Sequence, residues 1–434
     1  MKSWNDTPFS ELLIESRDGE WGKGEPEVGH LEAVLIRGTD FANINDPGLT
    51  LPHRWIKEHL VERKKLQAGD IVFEMAGGTS KQSTGRNAIL KANFFNNHAP
   101  LPAVCASFSR HLRLDQSRFF PEFIYYLLQG LYRSGYMGVF HVQHTGVARF
   151  QYSSFKKHTV LKIPPIATQQ KIAAILTAYD DLIETNKRRI ALLEKMAEEI
   201  YREWFVRLRF PGYQNTKFVK GIPESWETKT IGELCSTVTD GSHASPAFVE
   251  DGKPMASVKD MHSNGFNLTS IKTISDSDFE KLKKGDCQPL KNDVLIAKDG
   301  SYLKHVFVWS GDYEIVILSS IAILRPNPGK IKPYFFSQVL KQDSTKSMMS
   351  GYVSGSALPR IILRDFKKMS LLIPVRDLVS RYEDLASTIF QQIHTLLKAN
   401  ENLTKTRDLL LPRLISGKLP VEHLDIQTPP SMTP

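Results

Sequence analysis

The 434-residue chain repeats one order of motifs in its two halves, and this repeat limits the available folds more than any other feature. An aspartate directly before a short apolar run occurs at Asp70 in the first half and at Asp293 in the second. Further on, a Phe-Lys-Lys motif that leads to Ile-Pro occupies residues 155–164 and again residues 366–374. Because both motifs recur in the same order, the sequence predicts two structurally equivalent halves.

Each half combines short strand signals with one long helical pattern. The strand signals are brief apolar runs bounded by Gly, Asp, Asn or Ser, as in residues 71–73, 294–296 and 306–308. The helical patterns begin after Ile-Pro in both halves, and proline commonly marks a helix start. We therefore expect the α+β class, with two tandem mixed α/β domains that are each followed by a long helix.

Both helical patterns carry a stripe with alternating steps of four and three residues, which is typical of a left-handed coiled coil. Since an exposed stripe needs a partner, we expect the two helices to pack on each other. Because each helix follows an equivalent domain, we expect an antiparallel coiled coil with pseudo-two-fold symmetry. Asn186 and Gln392 are polar breaks near mid-helix, and such breaks usually fix the register. The first stripe comprises Ile172, Leu176, Tyr179, Ile183, Asn186, Ile190, Leu193, Ala197, Ile200 and Trp204. The second comprises Leu378, Tyr382, Leu385, Ile389, Gln392, Leu396, Ala399, Leu403, Thr406 and Leu410.

The composition is that of a basic globular protein, with a net charge of +9 and a pI near 9.2. An excess of this size is consistent with a polyanionic partner but does not prove one. Cys105, Cys235 and Cys287 form no C-x-x-C pair, so we expect neither a disulfide framework nor a zinc knuckle. The sequence has no apolar signal-peptide core and no apolar run of roughly 20 residues, so a cytoplasmic location is expected.

Signatures of several enzyme classes are absent from the sequence. Residues 77–81 are glycine-rich but lack the spacing of a P-loop, and no Gly-x-Gly-x-x-Gly follows a strand. There is no Asn/Asp-Pro-Pro-aromatic tetrapeptide of the kind found in amino-methyltransferases, and no His-Glu-x-x-His. For His141 and His144, loop polarity or phosphate contact is favoured over metal ligation. We expect no catalytic residue, no metal and no cofactor on this chain.

Three segments of the sequence resemble the specificity subunits of type I restriction–modification complexes. Residues 165–205, from Pro165 through Lys-Ile-Ala-Ala-Ile-Leu to Trp204-Phe205, resemble the central conserved helix of that family. Residues 407–418 resemble the end of its second conserved helix, and residues 240–260, beginning Asp-Gly-Ser-His, resemble the opening of a target recognition domain. The resemblance covers nearly the whole chain, with the first recognition domain as the weakest match.

The resemblance implies a non-catalytic subunit that reads a bipartite, asymmetric DNA target with an unspecified spacer. It implies binding to two methyltransferase subunits and, through them, to restriction/translocase subunits. S-adenosylmethionine, ATP and Mg²⁺ would then belong to those partners. We expect target recognition domain 1 at 1–163, the first conserved helix at 164–212, target recognition domain 2 at 213–373, the second helix at 374–418 and a disordered tail at 419–434.

Polar loops that join short strands are the natural readers of DNA, because a rigid sheet can present them to a groove. Arg, Lys and Gln pair with base edges, while Ser, Thr and Lys often hold phosphates. In the first domain, the predicted DNA-contacting residues are Thr79, Ser80, Lys81, Gln82, Ser83, Arg86, His141, Gln143, His144, Thr145 and Arg149. In the second domain they are Ser242, His243, Lys259, Lys298, Ser301, Tyr302, Lys304, Ser354, Ser356 and Arg360.

Two other functions remain open on sequence grounds. The chain could be a coiled-coil adaptor without sequence preference, since a structural coiled coil is the commonest meaning of such heptads. It could also be a DNA methyltransferase or nuclease whose active site lacks a recognisable motif. The first alternative leaves the paired domains without a purpose, and the second conflicts with the missing signatures.

Overall fold

The computed structural model describes residues 4–46, 48–79, 82–143, 147–268, 271–299, 305–353, 360–429 and 432. The chain forms two compact units, with unit 1 comprising residues 1–186 and 399–434 and unit 2 comprising residues 187–398. Each unit contains one α/β domain together with a segment of each long helix. No helix among the described residues is long and apolar enough to cross a membrane.

Among its described residues, unit 1 contains a four-stranded sheet, a three-stranded sheet and two two-stranded sheets, whose strands are mostly antiparallel. Its strands are β1 (Asn5–Pro8), β2 (Leu13–Asp18), β3 (His30–Ile36), β4 (His53–Lys57), β5 (Ile71–Glu74), β6 (Asn87–Ile89), β7 (Ala103–Cys105), β8 (Ser109–Leu114), β9 (His141–Val142), β10 (Arg149–Phe150) and β11 (Val160–Ile163). Its shorter helices are α1 (Glu58–Lys64), α2 (Ala92–His98), α3 (Pro121–Arg133) and α4 (Tyr152–His158), and the long α5 (Ile166–Tyr201) begins here. The four-stranded sheet has the order β2-β8-β5-β6 and the three-stranded sheet β4-β3-β7, with β3 and β7 parallel.

Unit 2 repeats this topology. Its strands are β12 (Phe218–Val219), β13 (Ile222–Pro223), β14 (Glu227–Thr230), β15 (Cys235–Asp240), β16 (Phe248–Val249), β17 (Lys253–Ala256), β18 (Met261–His262), β19 (Gly265–Phe266), β20 (Lys272–Ile274), β21 (Val294–Ala297), β22 (Val306–Val308), β23 (Val316–Ile317), β24 (Ile321–Pro326) and β25 (Ser370–Ile373). Its helices are α6 (Ile231–Leu234), α7 (Asp276–Lys284), α8 (Pro333–Lys341), α9 (Asp343–Ser350), α10 (Leu363–Lys368) and the long α11 (Arg376–Ile415), which ends in unit 1. The sheet orders β15-β24-β21-β22 and β16-β20-β17-β23 correspond to those of unit 1.

The repeated aspartates hold equivalent places and make equivalent contacts. Asp70 accepts two hydrogen bonds from the Arg113 guanidinium at 2.9 and 2.7 Å, and Asp293 accepts two from Arg325 at 2.9 and 2.8 Å. Each aspartate also accepts a backbone N–H from the turn that precedes it. Both carboxylates are almost fully buried, so pairing and hydrogen bonding offset the cost of burying their charge. The predicted repeat and the α+β class are confirmed.

Within each unit, the two long helices run antiparallel. In unit 1, Asn186 Nδ2 donates to Asn400 Oδ1 at 2.9 Å, and Arg407 Nη1 donates to Asp180 Oδ1 at 2.5 Å. In unit 2, Tyr382 Oη donates to the carbonyl of Ala197 at 3.0 Å. In both units, higher residue numbers on α5 meet lower ones on α11.

The predicted stripe is largely correct for α5 but wrong at alternate positions of α11. Leu385, Gln392 and Thr406 are exposed, whereas Ala386 and Ile393 are buried. Every second contact position of α11 therefore lies one residue later than the sequence predicted. Apolar residues occupy neighbouring positions on this helix, so more than one register fits the heptad pattern. The polar residue at the contact is consequently Asn400, which pairs with Asn186.

The described segment that follows α11 packs on unit 1 and is not a disordered tail, since Ile426 contacts the core of this unit and Met432 belongs to it. Val421 is 1% exposed and belongs to the core of unit 1. Lys171 Nζ donates to the carbonyls of Glu422 and Leu424 at 2.8 Å each. The segment after α11 is therefore held on unit 1 by buried apolar side chains and by the hydrogen bonds that Lys171 donates to two of its backbone carbonyls.

Candidate nucleic-acid interface

In unit 1, the two predicted reading loops lie side by side. Thr79 and Gln82 close a tight turn through reciprocal backbone hydrogen bonds, and both residues are exposed. Strands β9 and β10 pair antiparallel, and the exposed Gln143 directly follows β9. A β-bridge between Ala76 and Arg149 joins the two loops. One surface therefore contains polar residues from both predicted segments.

Side chains behind these loops fix their position. His141 Nδ1 accepts a hydrogen bond from the backbone N–H of Thr84 at 3.0 Å, which ties the two loops together a second time. Arg86 donates from Nε to Glu74 Oε2 at 2.9 Å, and Glu74 is 1% exposed. The hydrogen bond to Glu74 raises the pKa of the Arg86 guanidinium. Arg86 thus balances the buried carboxylate of Glu74, and Ser83 is half-buried.

In unit 2, the equivalent region is built around a buried lysine. Lys298 directly follows β21, and its side chain is only 5% exposed. Its Nζ lies 3.1 Å from Asp240 Oδ2 and 3.7 Å from Asp299 Oδ1. A β-bridge joins Asp299 to Arg360, so the predicted segments around Lys298 and Arg360 also meet.

The remaining described candidates of unit 2 differ in their exposure. The Ser242 side chain is buried and closes its own turn, since Oγ donates to the carbonyl of Ala244 and accepts its N–H. The His243 side chain is 75% exposed, with Nε2 lying 3.4 Å from Asp240 Oδ1. Lys259 is exposed on a short turn that Ser257 and Asp260 cap reciprocally.

Nine predicted residues lie outside the described part of the chain: Ser80, Lys81, His144, Thr145, Ser301, Tyr302, Lys304, Ser354 and Ser356. The sequence predictions also missed two carboxylates, Glu74 and Asp240, that hold the loops. Both end a strand of the four-stranded sheet, directly before a loop rich in glycine and small polar residues, and that position was the available signal. Among the described residues, no group of three or more His, Cys, Asp or Glu side chains could hold a metal ion.

The fold and these surfaces define a class of protein built from two equivalent α/β recognition units, each packed against paired helices. The model of the type I restriction modification DNA specificity domain matches residues 54–195 and 223–405. The chain belongs to this family, which confirms the resemblance drawn from the sequence. It is a DNA-binding specificity subunit with two tandem recognition domains, and its family is the non-catalytic, DNA-recognising component of such systems.

Named relatives agree with this assignment. The chain is 30% identical over 318 residues to the type I restriction enzyme MjaIX specificity subunit of Methanocaldococcus jannaschii, covering 70% of each chain. It is 21% identical over 367 residues to the HindI specificity subunit of Haemophilus influenzae, covering 69% of this chain and 77% of that one. The crystal structure of the S subunit of a type I restriction-modification system from M. genitalium matches 95% of this chain with a TM-score of 0.56 at 16% identity, which supports the fold.

Proposed function

We propose that each unit reads one half of a bipartite, asymmetric DNA target, and that a spacer of unspecified bases separates the halves. The observation that carries the proposal is that one topology occurs twice, with different residues at the corresponding loops. At the bridge that joins the loops, unit 1 has Ala76 where unit 2 has Asp299, although each of them is paired with an arginine, Arg149 or Arg360. Direct readout depends on side-chain donors and acceptors at the base edges, so units with different loops favour different bases.

Apart from the half-buried Ser83, the predicted DNA-contacting residues that the structure describes divide into two roles on this proposal. Those with exposed side chains contact the DNA: Thr79, Gln82, Gln143, Arg149, His243, Lys259 and Arg360. Those held by internal hydrogen bonds or ion pairs position the loops: Arg86, His141, Ser242 and Lys298. Glu74 and Asp240 join the second group, because removing either leaves a cation without its carboxylate.

The same proposal assigns two methyltransferase subunits as partners and restriction/translocase subunits beyond them. Within unit 2, α5 exposes Leu192 and Met196 to 67% and 46%, and α11 exposes Leu385 to 45%. Leu192 and Met196 are four residues apart and so lie on one helix face, where another helix can cover them. S-adenosylmethionine, ATP and Mg²⁺ would be bound by those partners. We retain 1–163 and 213–373 as the recognition domains and 164–212 and 374–418 as the helices.

Methylation assays test this proposal. The purified chain with DNA and S-adenosylmethionine should transfer no methyl group, whereas the chain with its methyltransferase subunits should methylate one bipartite sequence. The modified positions are read by sequencing genomic DNA from cells with and without the chain. Methylation by the chain alone would contradict its non-catalytic role, and methylation without sequence preference would contradict the reading role.

A further inference from the structure

Both units expose an aromatic ring with a cation beside it, and neither pair is among the residues predicted from the sequence. In unit 1, Trp21 is 47% exposed, and the guanidinium carbon of Arg54 lies 5.5 Å from the centroid of its ring. In unit 2, Phe248 is 48% exposed, and Lys272 Nζ lies 4.2 Å from the centroid of its ring. These distances are those of cation–π contacts.

The two pairs occupy the same place in the repeated topology. Trp21 lies between β2 and β3, and Phe248 lies between the corresponding strands of unit 2, β15 and β17. In unit 1, Lys23 of this segment forms a bridge to Trp55 of β4, the strand that carries Arg54. In unit 2, β16 contains Phe248 and pairs with β20, which carries Lys272. The arrangement is therefore a repeated feature, although the residue types differ.

A glycine holds each segment close to its neighbouring strand. Gly22 has a φ of +71°, and a Cβ atom there would lie 2.8 Å from the carbonyl oxygen of Trp55. A Cβ atom on Gly252 would lie 2.2 Å from the carbonyl oxygen of Ile274. Only glycine tolerates such approaches, so the backbone beside each ring is fixed against the strand that carries the cation.

The cations are electrostatically available. In the described parts of the chain, no carboxylate lies within the 4.0 Å ion-pair distance of Arg54 or Lys272. Arg37, Arg86 and Arg113 of unit 1, by contrast, each pair with an aspartate or glutamate. An exposed cation–π contact contributes only about 0.5–1 kcal/mol, which leaves the charge free to meet an anion.

We propose that each pair contacts the DNA sugar–phosphate backbone, with the cation on a phosphate and the ring against a sugar, outside the base-reading loops. This inference rests on the proposed function, since it assumes that both units lie on DNA. Contacts to phosphate and sugar fix the orientation of a protein on the duplex but carry no sequence information. A ring that stacked on a base would instead alter sequence preference, and the test separates the two outcomes.

The test measures binding of the full chain to a 40-base-pair duplex of mixed sequence, by fluorescence anisotropy between about 50 and 250 mM salt. The variants are Trp21→Ala and Arg54→Met in unit 1, and Phe248→Ala and Lys272→Met in unit 2. Val28→Ala, at a side chain 98% exposed, and Val249→Ala, beside Phe248 in β16, are the matched controls. A parallel selection from a random duplex library, read by sequencing, reports the preferred sequence of each protein.

Each cation variant should weaken binding about threefold to tenfold near 0.1 M salt and should reduce the salt slope by about one. The ring variants should weaken binding less, the controls should bind like the unaltered chain, and all six should select the same sequence. Unchanged affinity and salt slope in both cation variants would overturn the inference, and so would a changed base preference in one half of the target. If the unaltered chain selects no sequence, the proposed function fails. If the unaltered chain selects a sequence but the ring and cation variants bind DNA as tightly as it does, only this inference is overturned.

Discussion

Units 1 and 2 share a scaffold but hold their loops by different ion pairs. In both units, a buried aspartate forms an ion pair with an arginine. Asp70, directly before β5, pairs with Arg113, and Asp293, directly before β21, pairs with Arg325. At the ends of the strands, unit 1 pairs Glu74 with Arg86, whereas unit 2 pairs Asp240 with Lys298. The ion pairs beside the loops therefore differ between the units, whereas the buried aspartate–arginine pair is the same in both. This is expected if the two units read different sequences.

Neutralising the repeated aspartate should destabilise both units. Asp70→Asn and Asp293→Asn each remove a carboxylate that is 0% or 1% exposed and that pairs with an arginine. Arg325 then keeps no carboxylate partner among the described residues, whereas Arg113 keeps Glu15, whose Oε2 lies 3.0 Å from Nη1. We expect a cost of about 3 kcal/mol in unit 2, because breaking a buried pair from one side is strongly destabilising. The cost in unit 1 should be of the same order but smaller, because Glu15 still pairs with Arg113. Hydrogen exchange of peptides from each unit measures the local free energy of unfolding. A loss several times larger in one unit would show that the two contacts are not equivalent.

The ion pairs Glu74–Arg86 and Asp240–Lys298 should each affect the recognition of one half of the target. Arg86→Met leaves Glu74 buried without its cation and should reduce selectivity for the first half about tenfold, which corresponds to about 1.4 kcal/mol. Lys298→Met should do the same for the second half. Library selection measures both effects.

Two exposed ion pairs supply the controls for that experiment. Lys65→Met removes a pair with Glu62, and Lys283→Met removes a pair with Glu314. Exposed pairs contribute little to stability, so neither variant should change selectivity. Loss of selectivity in both halves from Arg86→Met or Lys298→Met would contradict the independence of the two units.

A smaller effect should distinguish the units at acidic pH. His111 lies opposite Val72 in unit 1, where unit 2 has Ile323 opposite Leu295. His111 is fully buried, neither of its ring nitrogens has a hydrogen-bond partner, and burial lowers its pKa. Protonation therefore favours the unfolded state, and the contribution of His111 to stability falls as the pH drops below the ordinary value near 6.5, by at most about 1.4 kcal/mol per pH unit.

His111→Ile tests this effect by installing the residue type of unit 2. The variant should stabilise unit 1 and remove part of its pH dependence between about pH 6.5 and 5. Hydrogen exchange at several pH values measures both quantities. The pH dependence of unit 2 should be unaltered, and an unchanged pH dependence of unit 1 would exclude His111 as the cause.

Features that extend over many residues could be predicted from the sequence. Features that depend on the packing of a single side chain could not. The repeated motifs predicted two equivalent domains, and the heptad steps predicted paired helices, because both patterns extend over many residues. The antiparallel direction followed from the equivalent domain that precedes each helix. The register of α11 could not be derived, since Leu385 and Ala386 are both acceptable at a helix contact and tertiary packing selects Ala386. A sequence also does not reveal that the Lys298 side chain points inward to Asp240, because a lysine in a loop is usually exposed.

Replacement of residues 1–163 by the equivalent region of a relative with a different known target tests the central claim most directly. The hybrid is combined with the methyltransferase subunits, and the modified sequence is mapped on genomic DNA. The account predicts that one half of the target changes to that of the donor while the other half is unaltered. A hybrid that methylates DNA with both halves changed, or with neither changed, would contradict the claim that each unit reads its own half.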